Sequence, residues 1–230
     1  TEAIHKSVLL MGPSYTWPIA PGVPGFVPLE ELPAETQLLY DYNPKLARQM
    51  LADAGYPDGF TMEINTCVRP DWMGVAEMAA GMWEEDLNVK VEIKSYEEVA
   101  FRALTETLPR EFKHSCIGHV FPRMAFSSFT SQFLSGAIRN FAMYSNPDFD
   151  ALFHKAAKTV DQAERVAMLE DLFVMGLDDC PYIPIGMDCW YTYWWPWVKN
   201  YYGESTSCCG QLPPVDLTWV DQDLKAEMGY

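Results

Sequence analysis

The stretch YNPKLARQMLADAGYPDGF, Tyr42 to Phe60, reads as a helix with its own start, stop and onward turn. Asn43 is a good N-cap, because its side chain can accept the free amides of the first turn. Pro44 follows at the first helical position, where a missing N–H costs nothing. Leu46, Ala47, Met50, Leu51 and Ala54 recur at helical spacing and make one apolar face. Gly55 suits the left-handed position after a helix, and Pro57 blocks continuation. Asp58-Gly59 makes a turn. Phe60, Met62 and Ile64 then alternate as a strand does.

The same logic repeats outward from this unit. Asp71 to Leu87 predicts a helix with Val75, Ala79, Met82 and Trp83 on one face, ended by Asn88. Val89, Val91 and Ile93 alternate as a second strand, Glu97 to Thr107 predicts a third helix, and Lys113 to His119 a third strand. Strands alternating with helices of this length predict an α/β domain with a largely parallel sheet. The later half is more helical. Asn146-Pro147 repeats the Asn-Pro start and leads into Phe149, Leu152, Phe153, Ala156 and Ala157. Asp161 and Glu164 open another helix, close to a capping box, with Val166, Leu169, Leu172 and Phe173 on its face and Pro181 beyond its end. The aromatic run WYTYWWPWVKNYY, residues 190–202, reads either as an exposed adhesive surface or as the lining of a core or groove. Gly12 to Pro33, rich in Pro and Gly, reads as an irregular stretch wrapping a scaffold.

Composition narrows the function. The chain has 230 residues, 49% hydrophobic and 21% charged, which is enough for a globular core. A formal net charge of -16 argues against nucleic-acid binding and serves solubility. No apolar run is long enough to span a membrane. The first residues, TEAIHKSVLLMGPSYTW, lack the basic start and long apolar run of a signal peptide, so either the protein is cytosolic or its true start lies elsewhere.

The chemistry-bearing motifs are absent: no G-x-S-x-G, P-loop, G-x-G-x-x-G or H-E-x-x-H occurs. Cys116 and His119 form a C-x-x-H with no second half at metal-ligand spacing, so no structural zinc site and no other metal or cofactor is expected. A Cys116–His119 hydrolytic dyad is the enzyme alternative, but positions three apart on a strand point to opposite faces. No carboxylate pair stands out as an acid/base couple. An α/β scaffold with abundant aromatics and irregular loops fits a binding module better than an enzyme.

The opening stretch closely resembles a segment of the family 5 extracellular solute-binding proteins of ABC importers, the dipeptide, oligopeptide and nickel binding group. The matching positions are Tyr42, Asn43, Pro44, Ala47, Met50, Leu51, Ala54, Gly55, Tyr56, Pro57, Asp58, Gly59 and Phe60. The resemblance continues through NVKVEIKSYEEVAF and through YSNPDFDALFHKAAKTVDQAERVAMLEDL, with Asn146, Pro147, Asp150, Leu152, Asp161 and Arg165 at the key places. It extends through CPYIPIGM, WVKNYYG and LTWVDQDLKAEMGY, so it covers nearly the whole chain.

This resemblance implies a type II periplasmic-binding-protein-like α/β fold, with a mixed sheet flanked by helices. The chain would be its second, C-terminal lobe over residues 1–200, with residues 201–230 returning to a first lobe that precedes this sequence. It further implies a non-catalytic, periplasmic or extracellular binding protein, monomeric when full length, that closes around a peptide-like or small polar solute and delivers it to a membrane permease. In the family a Gly-Trp-x-x-Asp-like stretch faces the cleft, and its Asp pairs with a peptide's amino group. Here the stretch is CIGHVFPRMAFSSF, which has no Asp, and Phe121 stands at about that place. That departure argues against the standard peptide mode. The resemblance makes His119, Phe121 and Arg123 the cleft-facing candidates, Arg102 a candidate carboxylate grip and Asn140 and Tyr144 candidates at the mouth. Bland alternatives stand beside them: Phe121 in the core, Arg123 in solvent, Arg102 paired with Glu98, and Asn140 and Tyr144 in ordinary loop hydrogen bonds. Adjacent Cys208 and Cys209 would strain a mutual bond, so in an oxidising compartment one of them would bridge to Cys189 or Cys180, leaving Cys67 and Cys116 as buried thiols. A stand-alone lobe that binds a protein partner through Trp194 and Trp195 is the remaining alternative.

Overall fold

The computed structural model describes residues 17–110, 112–118, 125–185, 193–202 and 217–230. They fall into two compact units, within Thr1–Asp188 and Cys189–Tyr230.

In the larger unit a short helix α1 (Ala34–Gln37) precedes α2 (Pro44–Asp53). The helix α2 forms for the reasons legible in its sequence. Asn43 Oδ1 accepts the Leu46 N–H at 3.0 Å, Pro44 opens the first turn, and Gly55 takes φ +95° just past the end. Its predicted apolar face is not buried, however: no α2 residue is fully covered, and Met50 is 61% exposed. Polar contacts hold it instead. The Tyr42 hydroxyl donates to Asp86 Oδ2 at 2.7 Å, and the Arg48 guanidinium donates to the carbonyls of Asp86 and Glu85.

The strand β1 (Thr61–Cys67) and the strand β2 (Lys90–Tyr96) pair in parallel from Thr61↔Lys90 to Cys67↔Tyr96. The crossover is α3 (Pro70–Leu87), which stops because Asn88 adopts a left-handed φ of +55°. Asn88 Nδ2 donates to Asp58 O at 2.5 Å, locking the Asp58-Gly59 turn to the end of α3. From β2 the chain returns through α4 (Glu98–Glu106) to β3 (Ser115–Cys116), which pairs in parallel on the other side of β1, giving the order β2-β1-β3. The third strand is much shorter than the Lys113–His119 run expected. His114 takes φ +61°, which breaks the extended backbone, and side chains replace the missing ladder.

A helical layer follows. The helix α5 (Ala125–Gln132) was not anticipated, although its buried Ala125, Ser128, Phe129 and Gln132 carry a helical period. The helices α6 (Pro147–Lys158) and α7 (Gln162–Asp178) are capped as expected, by Asn146 and Asp161. Their faces close on Phe129, Phe133, Phe149, Leu172 and Phe173, all fully buried. The Phe133 and Phe149 rings stack at 5.4 Å, and Trp17 lies 5.2 Å from Phe133. The irregular N-terminal stretch does wrap this core: among its described residues, Trp17, Ile19, Val27 and Leu32 enter it. A separate, thinner core under α3 gathers Val75 and Ala79 with Met78, Met82, Trp83, Ile117 and Ile185.

In the smaller unit β4 (Val198–Lys199) pairs antiparallel with β5 (Trp219–Val220), followed by α8 (Gln222–Glu227), whose N-cap is Asp221. Trp195 and Trp197 stack at 4.6 Å, and Tyr230 packs on both.

Candidate functional site

In an open parallel sheet, ligands sit beyond the carboxyl ends of the strands, where successive connections leave in opposite directions. With order β2-β1-β3 that point lies between β1 and β3. Val68-Arg69 leaves β1 there, Glu97-Glu98 leaves the end of β2, and Ile117-Gly118 leaves β3. The carboxyl end of β1 runs straight into α3 through Pro70 at the first helical position, so Arg69 is fixed as the residue between strand and helix.

Arg69 is the centre of a built cluster. Its Nε and Nη2 donate to the two carboxylate oxygens of Asp71 at 3.3 and 2.8 Å. Its guanidinium lies 5.0 Å over the Trp72 ring, and Trp72 in turn meets Phe101 of α4 edge-on at 5.6 Å. Burial alone would push the Asp71 carboxyl up. The hydrogen bond and charge of Arg69, with the amides of Asp71 and Trp72, outweigh it and hold that carboxyl below its usual range. The result is a partly exposed guanidinium, held in place by a carboxylate and an indole, with N–H groups left for an anionic ligand group. Sequence reading passed over Arg69, Asp71 and Trp72. The available signal was an Arg-Pro at a strand end with an aromatic two residues on.

Of the predicted site residues, Arg102, Asn140 and Tyr144 are among those described. His119, Phe121 and Arg123 lie outside the described residues, between Gly118 beyond β3 and the start of α5. Arg102 stands on the exposed face of α4, where its Nη2 donates to Glu98 Oε1 at 3.0 Å. Asn140 and Tyr144 do come together, but at the helical core. Asn140 is 1% exposed, its amide donates to Leu134 O and Tyr144 O at 3.1 and 2.7 Å, and its Oδ1 accepts the Tyr144 N–H at 2.9 Å. The Tyr144 hydroxyl donates to Asp179 Oδ2 at 2.5 Å, and its pKa is raised by burial and by that carboxylate.

Burial pushes Cys116 up to about 11, so it is protonated at neutral pH and is no thiolate nucleophile. Cys67 is buried and free. Cys180 is free and more exposed, its Sγ 3.8 Å from Tyr182 O, while Cys189, Cys208 and Cys209 lie outside the described residues. Among the described residues, no three His, Cys, Asp or Glu side chains gather as metal ligands, and no helix is long and apolar enough to cross a membrane. In the aromatic run Tyr193 is 87% exposed, Trp194 and Trp195 about half exposed, and Trp197 is buried; Trp190 lies outside the described residues.

The described residues thus combine a small parallel sheet with flanking helices and a charged-aromatic cluster at the sheet's carboxyl edge, and comparison with known proteins places the fold. The model of the bacterial extracellular solute-binding proteins, family 5 (middle part), matches residues 1–136, more than half of the chain, and the chain belongs to that family. It is 27% identical over 174 residues to "Heme-binding protein A" of Haemophilus influenzae, covering 70% of this chain and 30% of that protein. Its fold matches the structure of HbpA2 from Haemophilus parasuis with a TM-score of 0.67 at 26% identity, over 80% of this chain and 36% of that one. It also matches a dipeptide-binding protein from Pseudoalteromonas in complex with Met-Leu, with a TM-score of 0.61 at 26% identity and the same coverage. The chain therefore spans about a third of the length of these relatives. The fold is that of the type II periplasmic-binding-protein-like proteins.

Proposed function

We propose that this chain forms one wall of the solute cleft in a substrate-binding component of an ABC-type importer. It captures a peptide-like or other small polar solute outside the cytoplasm and presents it to a membrane permease. Residues 1–200 are the ligand-facing lobe and residues 201–230 the tail that returns to a preceding lobe. The observation that carries the reading is the Arg69–Asp71–Trp72 cluster at the carboxyl edge of the sheet. Arg69 takes an anionic group of the solute and Trp72 an adjoining apolar part. The reading includes a solute-binding role for His119, Phe121 and Arg123, which follow β3 in the sequence, with Arg102 at the rim of the cleft and Asn140 and Tyr144 shaping the neighbouring loop. The reaction is binding and release, not bond making; a half-buried, protonated Cys116 fits that role.

The relatives' names supply the first two probes, the dipeptide Met-Leu and heme. Tryptophan fluorescence titration of the full natural protein should show saturable binding of one solute class. Arg69→Gln should weaken it about 10- to 100-fold, the size of a charge-assisted hydrogen bond. Binding that survives Arg69→Gln unchanged would remove the cluster from the cleft. No saturable binding of amino acids, peptides or heme would remove the reading itself.

A further inference from the structure

The larger unit has two cores, the aromatic one of the helical layer and the thinner one under α3. Arg110, in the connection from α4 to β3, joins elements that belong to the two sides. Its Nε donates to Thr105 O at 2.7 Å and its Nη2 to Ile138 O at 2.5 Å, and its guanidinium lies 5.5 Å from the centre of the Phe141 ring. Thr105 O is one of the last four carbonyls of α4, which have no partner along the helix, and α4 has no basic residue in its own last turn. Arg110 supplies the missing donor from beyond the helix end. On the other side, the loop it grips is fixed to the helical layer: Asn140 is buried and bonded to Leu134 O and to both backbone groups of Tyr144, and the Tyr144 ring meets Phe133 and Phe149 edge-on.

The gripped end of α4 leads back to the candidate site. Phe101 and Thr105 are the two side chains that α4 buries, and the Thr105 hydroxyl donates to Phe101 O at 2.9 Å, one turn earlier. Phe101 meets the Trp72 ring at 5.6 Å, and Trp72 carries the Arg69 guanidinium at 5.0 Å. A helix moves as a rigid element, so a shift at its held end is a shift of Phe101 against Trp72.

We propose that Arg110 is a positioning residue for the Arg69–Trp72 cluster: it brackets the end of α4 to the Asn140 loop and thereby holds Phe101 behind Trp72. The inference rests on the binding reading only for its effect on solute affinity. The bracket itself is read without ligand, from the indole N–H resonance of Trp72 in the 15N-labelled full chain, assigned by its loss in Trp72→Phe. Arg110→Ala should move that resonance while Trp83, at the other end of α3, keeps its own. Arg110→Lys keeps the charge but loses the planar fork that reaches two carbonyls, and it should move the Trp72 resonance nearly as far. In a Phe101→Leu background Arg110→Ala should have little further effect on Trp72, because the link between them is gone. With Met-Leu as the probe, Arg110→Ala should weaken binding by the full natural protein about three- to tenfold, and by less in an Arg69→Gln background. A Trp72 resonance that stays in place, that moves as much without Phe101 as with it, or that Arg110→Lys restores completely overturns the bracket. Unchanged Met-Leu affinity in Arg110→Ala overturns the positioning role. Absence of Met-Leu and heme binding in the parent would count against the proposed function, and the Trp72 resonance would decide the bracket independently.

Discussion

Gly59 shows how one residue fixes the geometry between two elements. Its φ is +75°, and a Cβ built on it would overlap the backbone carbonyl of Asn88, which is itself left-handed. Gly55 has φ +95° but faces open space. Gly59→Ala should therefore destabilise by about 2 kcal/mol or more, and Gly55→Ala by about 1, since only the first adds a backbone clash to the left-handed penalty. Urea unfolding of both variants checks this, and equal losses would contradict it. Cys116 gives a prediction in pH. Burial raises its pKa from 9.0 to about 11, so between those values the unfolded chain releases a proton that the folded one keeps. Its contribution to stability is fully present below pH 9 and falls as pH climbs toward 11. Cys116→Ala should flatten that part of the stability profile relative to the parent. An unchanged slope would show that other groups, such as Tyr40 and Tyr182, each pushed up to about 12 by burial, account for it.

Among the elements, what the sequence made legible was mostly local. The Asn43 and Asn146 caps, each followed by a proline, and the Asp161 cap place the starts of α2, α6 and α7 correctly, because a cap is a contact between residues two or three apart. Asn146→Ala should cost about 1 kcal/mol for the cap, and somewhat more because its Nδ2 also donates to Asp179 Oδ2 at 2.7 Å. Thermal unfolding against Asn43→Ala, whose amide has only the cap, separates the two parts. The misreadings share a cause. The third strand starts later than expected because His114, just before it, leaves the extended region, and histidine at positive φ has no pattern in sequence. The face of α2 looked like a core face, but periodicity gives the side of a helix and not what lies against it. The Arg69 cluster was missed because Trp72 and Phe101 are neighbours only once β1 and β2 end at the same edge.

At the scale of the larger unit, burial is uneven, and stability should follow it. The helical layer sequesters Phe129, Phe133, Phe149 and Phe173 completely, and the Phe133 ring lies where a Cβ on Gly176 would be 2.9 Å from it. Phe133→Ala should then cost about 3–5 kcal/mol, with a cavity that the stacked rings around it cannot close. The part containing α2 is held by the Tyr42, Arg48 and Asn88 hydrogen bonds and by no fully buried α2 side chain. Such a segment opens locally, below the free energy of global unfolding. Native-state hydrogen exchange in increasing urea should place the α2 amides in a low-energy class and those of Leu169 to Leu177 in the highest, with the β1–β2 ladder between them. Phe133→Ala should lower the highest class by its full cost and leave the α2 class in place. Merging of the classes in the parent protein would mean that the polar ties of α2 carry as much stability as the aromatic core, which the burial pattern does not allow.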